Sequence, residues 1–475
     1  MAVKTTAPGS RGRDAVSEKP LQIAFVAGEP SGDRQGAALM TALRDLAAPR
    51  VVEAWGIGGH HMAEAGVRIT RDSGPWASIG IAEVLGKLPM LLWVRGEFKR
   101  ALKKNPPDAL VVIDAGGFNV PLARWAKQNH ICPVFYYFPP GSWRRDARVQ
   151  TGKRNLAEAA DTIVTPFPWS AATLQAGGAN AHFLGHPLLD LVKATLADDD
   201  FYTRFGLDPH RPVVALLPGS RRQEIQHILP PLLSGADEIS RRIPGVQFVV
   251  ALASEGVRPM TEALIRREQR EGGRAARLQL LMAQAGNTLA HLAQNSLPPA
   301  TVPALATIEG IPVTMPEPPV DAPEARPVPA HSGPAPLVIC TGLTWDVLAR
   351  SDLVLTKSGT ATLEAMILKK PMVIVYHGSK LMAVEWKLRR RQLNLAHIGL
   401  PNILAEERVF AELMGDEATP EAIADLSMDL LLDPSRILAL KEKLGELVPA
   451  NLGEPGGVRR AATLLLELID SRTNL

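Results

Sequence analysis

Cysteine is nearly absent from this chain: 475 residues hold only Cys132 and Cys340. They lie far apart inside apolar runs. That excludes a disulfide or thiolate-metal framework and reads as two small buried hydrophobes in a reducing compartment. Charge of one sign is also lacking. A formal net charge of +3 is too small to argue nucleic-acid binding from the total, and no nucleic-acid partner is expected. No apolar run reaches the roughly 18–20 residues that span a bilayer, so any membrane contact is expected to be peripheral. The first twenty residues are polar and lack the apolar centre of an export signal, so 1–20 reads as a disordered tail of a cytoplasmic protein. There is no nucleophile-elbow pentapeptide, P-loop or six-residue dinucleotide fingerprint. No His/Cys/Asp spacing suggests zinc. His60 and His61 are adjacent and are expected to point apart as poor joint ligands. Neither a metal site nor a cofactor is expected.

What is present is 46% hydrophobic residues in a chain too long for one ordinary core, so two domains of roughly 150–200 residues are the natural division. Short Val/Ile/Leu runs alternate with helical patterns. Strands are predicted at 22–26, 51–55, 109–114, 134–138, 162–165 and 181–184, and again at 213–217, 247–252, 337–340, 353–356 and 372–376. Continuous apolar strands between helices argue parallel sheets covered on both faces. The expectation is therefore two consecutive doubly wound α/β domains with a cleft between them, spanning 21–190 and 210–405. A charged, proline-bounded linker is expected at 198–212, and helices from 406 to 475. From about 271 to 336 an Ala/Gln-rich and then proline-dense stretch reads as an insertion.

Four strand-to-helix loops could carry chemistry. The first, Gly28-Glu29-Pro30-Ser31-Gly32-Asp33, holds two acids beside a small polar residue. It reads either as a ligand loop at the carboxyl edge of the sheet or as a tight turn with Asp33 capping its helix. In the second, Asp114-Ala115-Gly116-Gly117-Phe118-Asn119, Asp114 ends an apolar strand and could take a proton from an attacking hydroxyl. The alternative is a cap or turn. Asn119 could orient a sugar hydroxyl or simply hold the turn. The third, Leu217-Pro218-Gly219-Ser220-Arg221-Arg222-Gln223-Glu224, opens a helix and offers amides and a guanidinium to a diphosphate; its bland reading is an arginine on a solvated helix face. The fourth runs Lys357-Ser358-Gly359-Thr360-Ala361-Thr362-Leu363-Glu364. Ser358, Gly359 and Thr360 could meet phosphate and Glu364 ribose hydroxyls, or Glu364 could lie on the exposed side of a capped helix. His186, before Pro187, reads as structural or hinge-like. Two basic stretches with Trp, 85–104 and 380–391, read either as lipid-facing helices or as core helices with solvated basic ends.

Together these motifs resemble the lipid-A-disaccharide synthase family. The likeness runs in order through AGEPSGD at 27–33, Gly56-Ile57-Gly58-Gly59 with Met62, IGIAEVLG at 79–86 and Asp114–Asn119. It continues through FLGHPLLD at 183–190, LLPGSR at 216–221, SGTATLE at 358–364 and LPN at 400–402. The resemblance implies a GT-B fold and an inverting, metal-independent transfer. The sugar would pass from UDP-2,3-diacylglucosamine to the 6-hydroxyl of 2,3-diacylglucosamine 1-phosphate, giving a β-1,6 disaccharide and UDP. It implies Asp114 as general base and Arg221 and Asn402 as site residues, with acceptor on the first domain and UDP-sugar on the second. It also implies a cytoplasmic membrane-face location, anionic lipid as a partner surface and a homodimer. The chain departs from the family pattern at Gly117, where the motif carries a second acid, in the Phe138–Arg145 segment, at Lys357 and in the proline-rich insertion. A glycosyltransferase of the same fold with another acceptor, or a non-catalytic nucleotide-sugar or lipid-binding protein, are the alternative readings. A UDP-N-acetylglucosamine epimerase would leave the basic helices without a purpose.

Overall fold

The structure, a computed structural model, describes residues 19–74, 81–142, 156–271, 277–281, 334–377 and 396–473. The expected N-terminal tail, the second basic stretch at 380–391, residues 143–145 and most of the insertion lie outside them. The chain forms two compact units. One is built from residues up to Leu191 together with Asn451–Leu475, the other from Val192–Ala450.

Unit 1 is a seven-stranded parallel sheet of β1 (Leu21–Ala27), β2 (Val52–Gly58), β3 (Val67–Asp72), β4 (Ala109–Ile113), β5 (Val134–Tyr137), β6 (Thr162–Thr165) and β7 (Ala181–Phe183). Their order is β3-β2-β1-β4-β5-β6-β7. β4 is buried at every position, as an apolar strand covered on both faces must be. Alternate side chains serve opposite faces. Ile23 and Phe25 join Leu39, Met40 and Leu43 of helix α1 (Pro30–Ala47) and Ala461, Leu465 and Ile469 of the final helix, Gly457–Thr473. Ala24 and Val26 join Val94, Phe98 and Leu102 of helix α3 (Ile81–Lys104) and Leu122 and Ala126 of helix α4 (Gly116–Gln128).

Unit 2 repeats the plan with β8 (Val213–Leu217), β9 (Gln247–Leu252), β10 (Leu278–Leu281), β11 (Ala335–Thr341), β12 (Leu353–Lys357), β13 (Met372–Tyr376) and β14 (Ala411–Met414), ordered β10-β11-β9-β8-β12-β13-β14. Every pairing is parallel.

Three expectations need correcting. The 198–212 stretch is not a bare linker. Asp198–Phe205 is a helix with three aspartates in its first turn, where the helix dipole favours them, and Phe201 and Phe205 buried. The chain after 405 is not helical throughout. It supplies edge strand β14 to unit 2 and, from Asn451, a helix to unit 1. The expected insertion also overreaches at both ends, because β10 and the start of β11 belong to the sheet.

Candidate active site

In each sheet the strand order reverses once, and ligands of open α/β sheets bind outside the carboxyl ends of the strands at that point. The reversal falls between β1 and β4 in unit 1 and between β8 and β12 in unit 2. The loops leaving these four strands are the four singled out in the sequence.

After β1 the helix starts inside the motif. Glu29 is the N-cap, Pro30 takes the first helical position, where its fixed φ and missing N–H cost nothing, and Ser31 follows. Asp33 does not cap its own helix. It is 3% exposed and crosses to the end of β2. There its Oδ1 accepts from the Gly59 and Met62 amides at 2.7 and 3.2 Å, and its Oδ2 from the His61 amide at 3.0 Å. It thus satisfies the opening turn of helix α2 (His60–Glu64). A Cβ on Gly59 would lie 2.7 Å from Asp33 Oδ2, so this approach requires glycine.

After β4 the backbone is strained. Asp114 and Ala115 both adopt left-handed conformations, with φ of 46° and 44°. At the end of neighbouring β5, Phe138 does so at 57°. Such positions cost about 1–3 kcal/mol each and persist where surrounding structure holds them, most often at functional sites. The holding groups are visible. Asn119 is fully buried, and its Nδ2 donates to the carbonyls of Ile113 and Asp114 at 2.9 and 3.0 Å. Tyr136 Oη donates to the Asp114 carbonyl at 2.9 Å. Asn119 therefore holds the turn, the plainer of its two readings. Gly116 lies against Pro140, while a Cβ on Gly117 would meet nothing within 4 Å.

His186 is a packing residue. It lies between Phe138 and Phe167, with ring centroids at 5.9 and 5.7 Å, and its Nδ1 accepts the Leu188 amide at 3.2 Å. Burial pulls its pKa down to about 3, so the imidazole is neutral.

In unit 2, Gly219 has φ of 123° and Arg221 caps the helix Arg222–Arg242. The amides of Ser220 and Arg221 do not stand open to an anion. Glu224 Oε2 accepts both, at 2.9 and 3.3 Å, and Lys357 Nζ donates to Glu224 Oε1 at 2.7 Å. Burial alone would raise the Glu224 carboxyl. The Lys357 ammonium and the Ser220 amide override it and hold the pKa below the usual range. Glu224 closes the third loop as read from the sequence, but its pairing with Lys357 was not anticipated, although a Glu three residues after a helix cap is the capping-box signal.

After β12, Ser358 Oγ donates to the Ile398 carbonyl at 2.5 Å. Gly359, φ 151°, caps the helix Thr360–Ile367, and Thr360 is exposed. Glu364 is on the buried side of that helix, 6% exposed, not on its outer face. Asn402 is fully buried. Its Nδ2 donates to the Phe410 carbonyl and to Glu412 Oε1 at 2.9 and 2.8 Å, and its Oδ1 accepts the Phe410 amide at 2.8 Å. Glu412 also accepts the Ile398 and Gly399 amides. Asn402 and the unanticipated Glu412 therefore brace the segment that Ser358 touches.

Among the described residues one group has metal-ligating geometry: Asp33, His60 and His61. This overturns the expectation that the adjacent histidines diverge. Their ring centroids lie 3.8 Å apart.

Solved structures share the fold. A putative UDP-N-acetylglucosamine 2-epimerase from Listeria monocytogenes aligns with TM-score 0.52 at 14% identity over 96% of this chain and 97% of its own. The UDP-GlcNAc 2-epimerase from Neisseria meningitidis bound to UDP-GlcNAc aligns with TM-score 0.53 at 12% identity over 95% and 100%. Sequence relatives are nearer. The lipid-A-disaccharide synthase of Trichlorobacter lovleyi is 32% identical over 95% of this chain and 98% of its own length. That of Burkholderia mallei is 33% identical over 95% and 98%. The profile of the family described as lipid-A-disaccharide synthetase matches residues 23–283 and 329–466, passing over most of the proline-rich insertion. With both sheets of the GT-B type and the family motifs flanking both reversal points, the chain belongs to the lipid-A-disaccharide synthase family.

Proposed function

We propose that the chain transfers the glucosaminyl unit of UDP-2,3-diacylglucosamine to the 6-hydroxyl of 2,3-diacylglucosamine 1-phosphate, making a β-1,6 disaccharide and releasing UDP. The observation that carries this reading is the coincidence of four motif loops with the two strand-order reversals.

Unit 1 handles the acceptor. Asp114 takes the proton of the 6-hydroxyl as its oxygen bonds to the anomeric carbon from the face opposite UDP, so configuration inverts. The bond from that carbon to the diphosphate oxygen breaks, and its electron pair leaves with UDP. The buried Asn119 positions Asp114 by gripping the carbonyls of Ile113 and Asp114 at the start of the strained turn. Glu29 and Ser31 form the facing wall, held to the β2 loop by Asp33.

Unit 2 handles the donor. The guanidinium of Arg221 offsets the charge that grows on the departing diphosphate. The loops at Gly219-Ser220 and Ser358-Gly359-Thr360 enclose the phosphates, Glu364 addresses the ribose and Asn402 braces the site from behind. Because Glu224 already holds the Ser220 and Arg221 amides, the diphosphate meets side chains there rather than those two N–H groups. No step in this scheme requires a metal.

The substrates would bring the protein to an anionic membrane surface at the cytoplasmic face. No helix of the described residues is long and apolar enough to cross a membrane. Helix α3 buries Val94, Phe98 and Leu102 but exposes Leu88, Met90, Leu92 and Trp93, near Arg95, Lys99 and Arg100. That is the composition of a helix lying in a headgroup layer.

A second reading, the same donor with another acceptor, rests on Gly117. Incubating the protein with both substrates and measuring UDP and disaccharide separates the two. Wild type should form both products. Asp114→Asn should lose about 100-fold or more in rate while still binding UDP. UDP release without disaccharide would favour another acceptor, and UDP binding without any turnover would sink both enzyme readings.

A further inference from the structure

Asp33, His60 and His61 bring their ligating atoms within 4.8 Å of one another at the carboxyl edge of the unit 1 sheet. We propose that this cluster binds one borderline divalent cation of the Zn2+, Co2+ or Ni2+ class, through two imidazoles and a carboxylate, with water completing the shell. The donor set selects the class. Mg2+ and Ca2+ favour shells of oxygen, whereas imidazole with carboxylate suits the later first-row metals.

The carboxylate is pre-positioned. Three amides, those of Gly59, His61 and Met62, fix the Asp33 plane. Oδ1 accepts two of them and Oδ2 only one, so a lone pair of Oδ2 remains for an ion. The Gly58-Gly59 pair clears the approach, since a Cβ at Gly59 would fall 2.7 Å from Oδ2 and one at Gly58 3.4 Å from Oδ1. The same amides lock the start of α2, which carries both imidazoles, so ligands from two loops are held in register before any ion arrives.

The imidazoles suit the role. His61 is partly buried, and its own amide is held by Asp33 Oδ2. His60 is exposed, so core packing does not account for its ring resting against that of its neighbour. Three protein ligands would leave a coordination position for water or an exogenous group. The site needs neither Asp114 nor the proposed substrates.

The test uses the full chain without an added histidine tag. It is stripped with a chelator and titrated with Co2+, followed by visible absorption and then by displacement with Zn2+. One Co2+ per chain is expected, displaced by Zn2+, with melting temperature rising on Zn2+ addition. His60→Ala and His61→Ala should each weaken binding at least about tenfold and abolish the thermal shift. The exposed position of His60 keeps its variant folded, which circular dichroism checks. Absence of Co2+ binding in wild type, or binding unchanged in either variant, would overturn the proposal.

Discussion

Lys357 Nζ lies 2.7 Å from Glu224 Oε1, so the last residue of β12 grips the helix that follows β8. The pair ties together the two loops that flank the strand-order reversal of unit 2. Glu224 in turn fixes the amides of Ser220 and Arg221, which sets the direction in which Arg221 leaves the backbone.

Removing the Glu224 charge should be felt in stability. Glu224→Gln keeps the shape but leaves the Lys357 ammonium, 21% exposed, without its counter-charge, at a cost of about 1–3 kcal/mol. The folded-state pKa of Glu224 is depressed. Its contribution is therefore complete above the unfolded value near 4.5 and is lost as pH falls through the folded value. Urea unfolding at pH 7 and pH 4 should show the wild-type midpoint falling further than that of Glu224→Gln. Equal falls would mean that the ion pair contributes nothing.

His186 makes a second pH dependence, with its own window. Its pKa falls from 6.5 to about 3 on folding, so between those values the unfolded chain binds a proton that the folded chain refuses. Stability from this site is thus intact above pH 6.5 and declines as pH falls toward 3. His186→Phe should cost about 1 kcal/mol at pH 7, for the lost acceptor of the Leu188 amide. It should also flatten the decline in urea midpoint between pH 6.5 and 4.5.

The two glycines after Asp114 should respond in opposite ways. A Cβ on Gly116 would fall 2.5 Å from Pro140 Cγ, so Gly116→Ala should lower the melting temperature, at a cost of about 1–3 kcal/mol. Gly117 has open space and sits in the first turn of α4. Gly117→Asp restores the acid of the family motif and should stabilise by about 0.3–1 kcal/mol through the helix dipole. A changed KM for the acyl-sugar acceptor with an unchanged KM for the UDP-sugar would tie this position to acceptor choice.

The exposed face of α3 should govern membrane binding without governing the fold. Leu92 and Trp93 are 49% and 52% exposed, so replacing both with Glu should leave the melting temperature within about 1 °C. The same change should reduce flotation with anionic phosphatidylglycerol vesicles severalfold. Undiminished flotation would assign lipid contact to another surface.

The central strands were legible because parallel strands covered on both faces are continuous apolar runs. The strands that escaped sequence reading, β3, β10 and β14, all lie at sheet edges. An edge strand is half solvated, and Val67–Asp72 is mostly exposed, so its pattern resembles a loop. The four loops were legible as motifs, but their internal bonding was not. Asp33 looked like the cap of its own helix and serves the next one. Asn402, implied as a site residue by the resemblance alone, is fully buried and bonded to Phe410 and Glu412. In each case the partner lies on a strand or loop whose approach only the folded sheet sets.

β10 and β11 lie side by side and parallel at the outer edge of the second sheet, three strand positions from β8 at their farthest. Fifty-three residues separate Leu281 from Ala335, whereas a parallel crossover needs only about a dozen. Most of that length is surplus to what topology asks. For the engineer it is the natural seam at which to splice a reporter or tether into the chain.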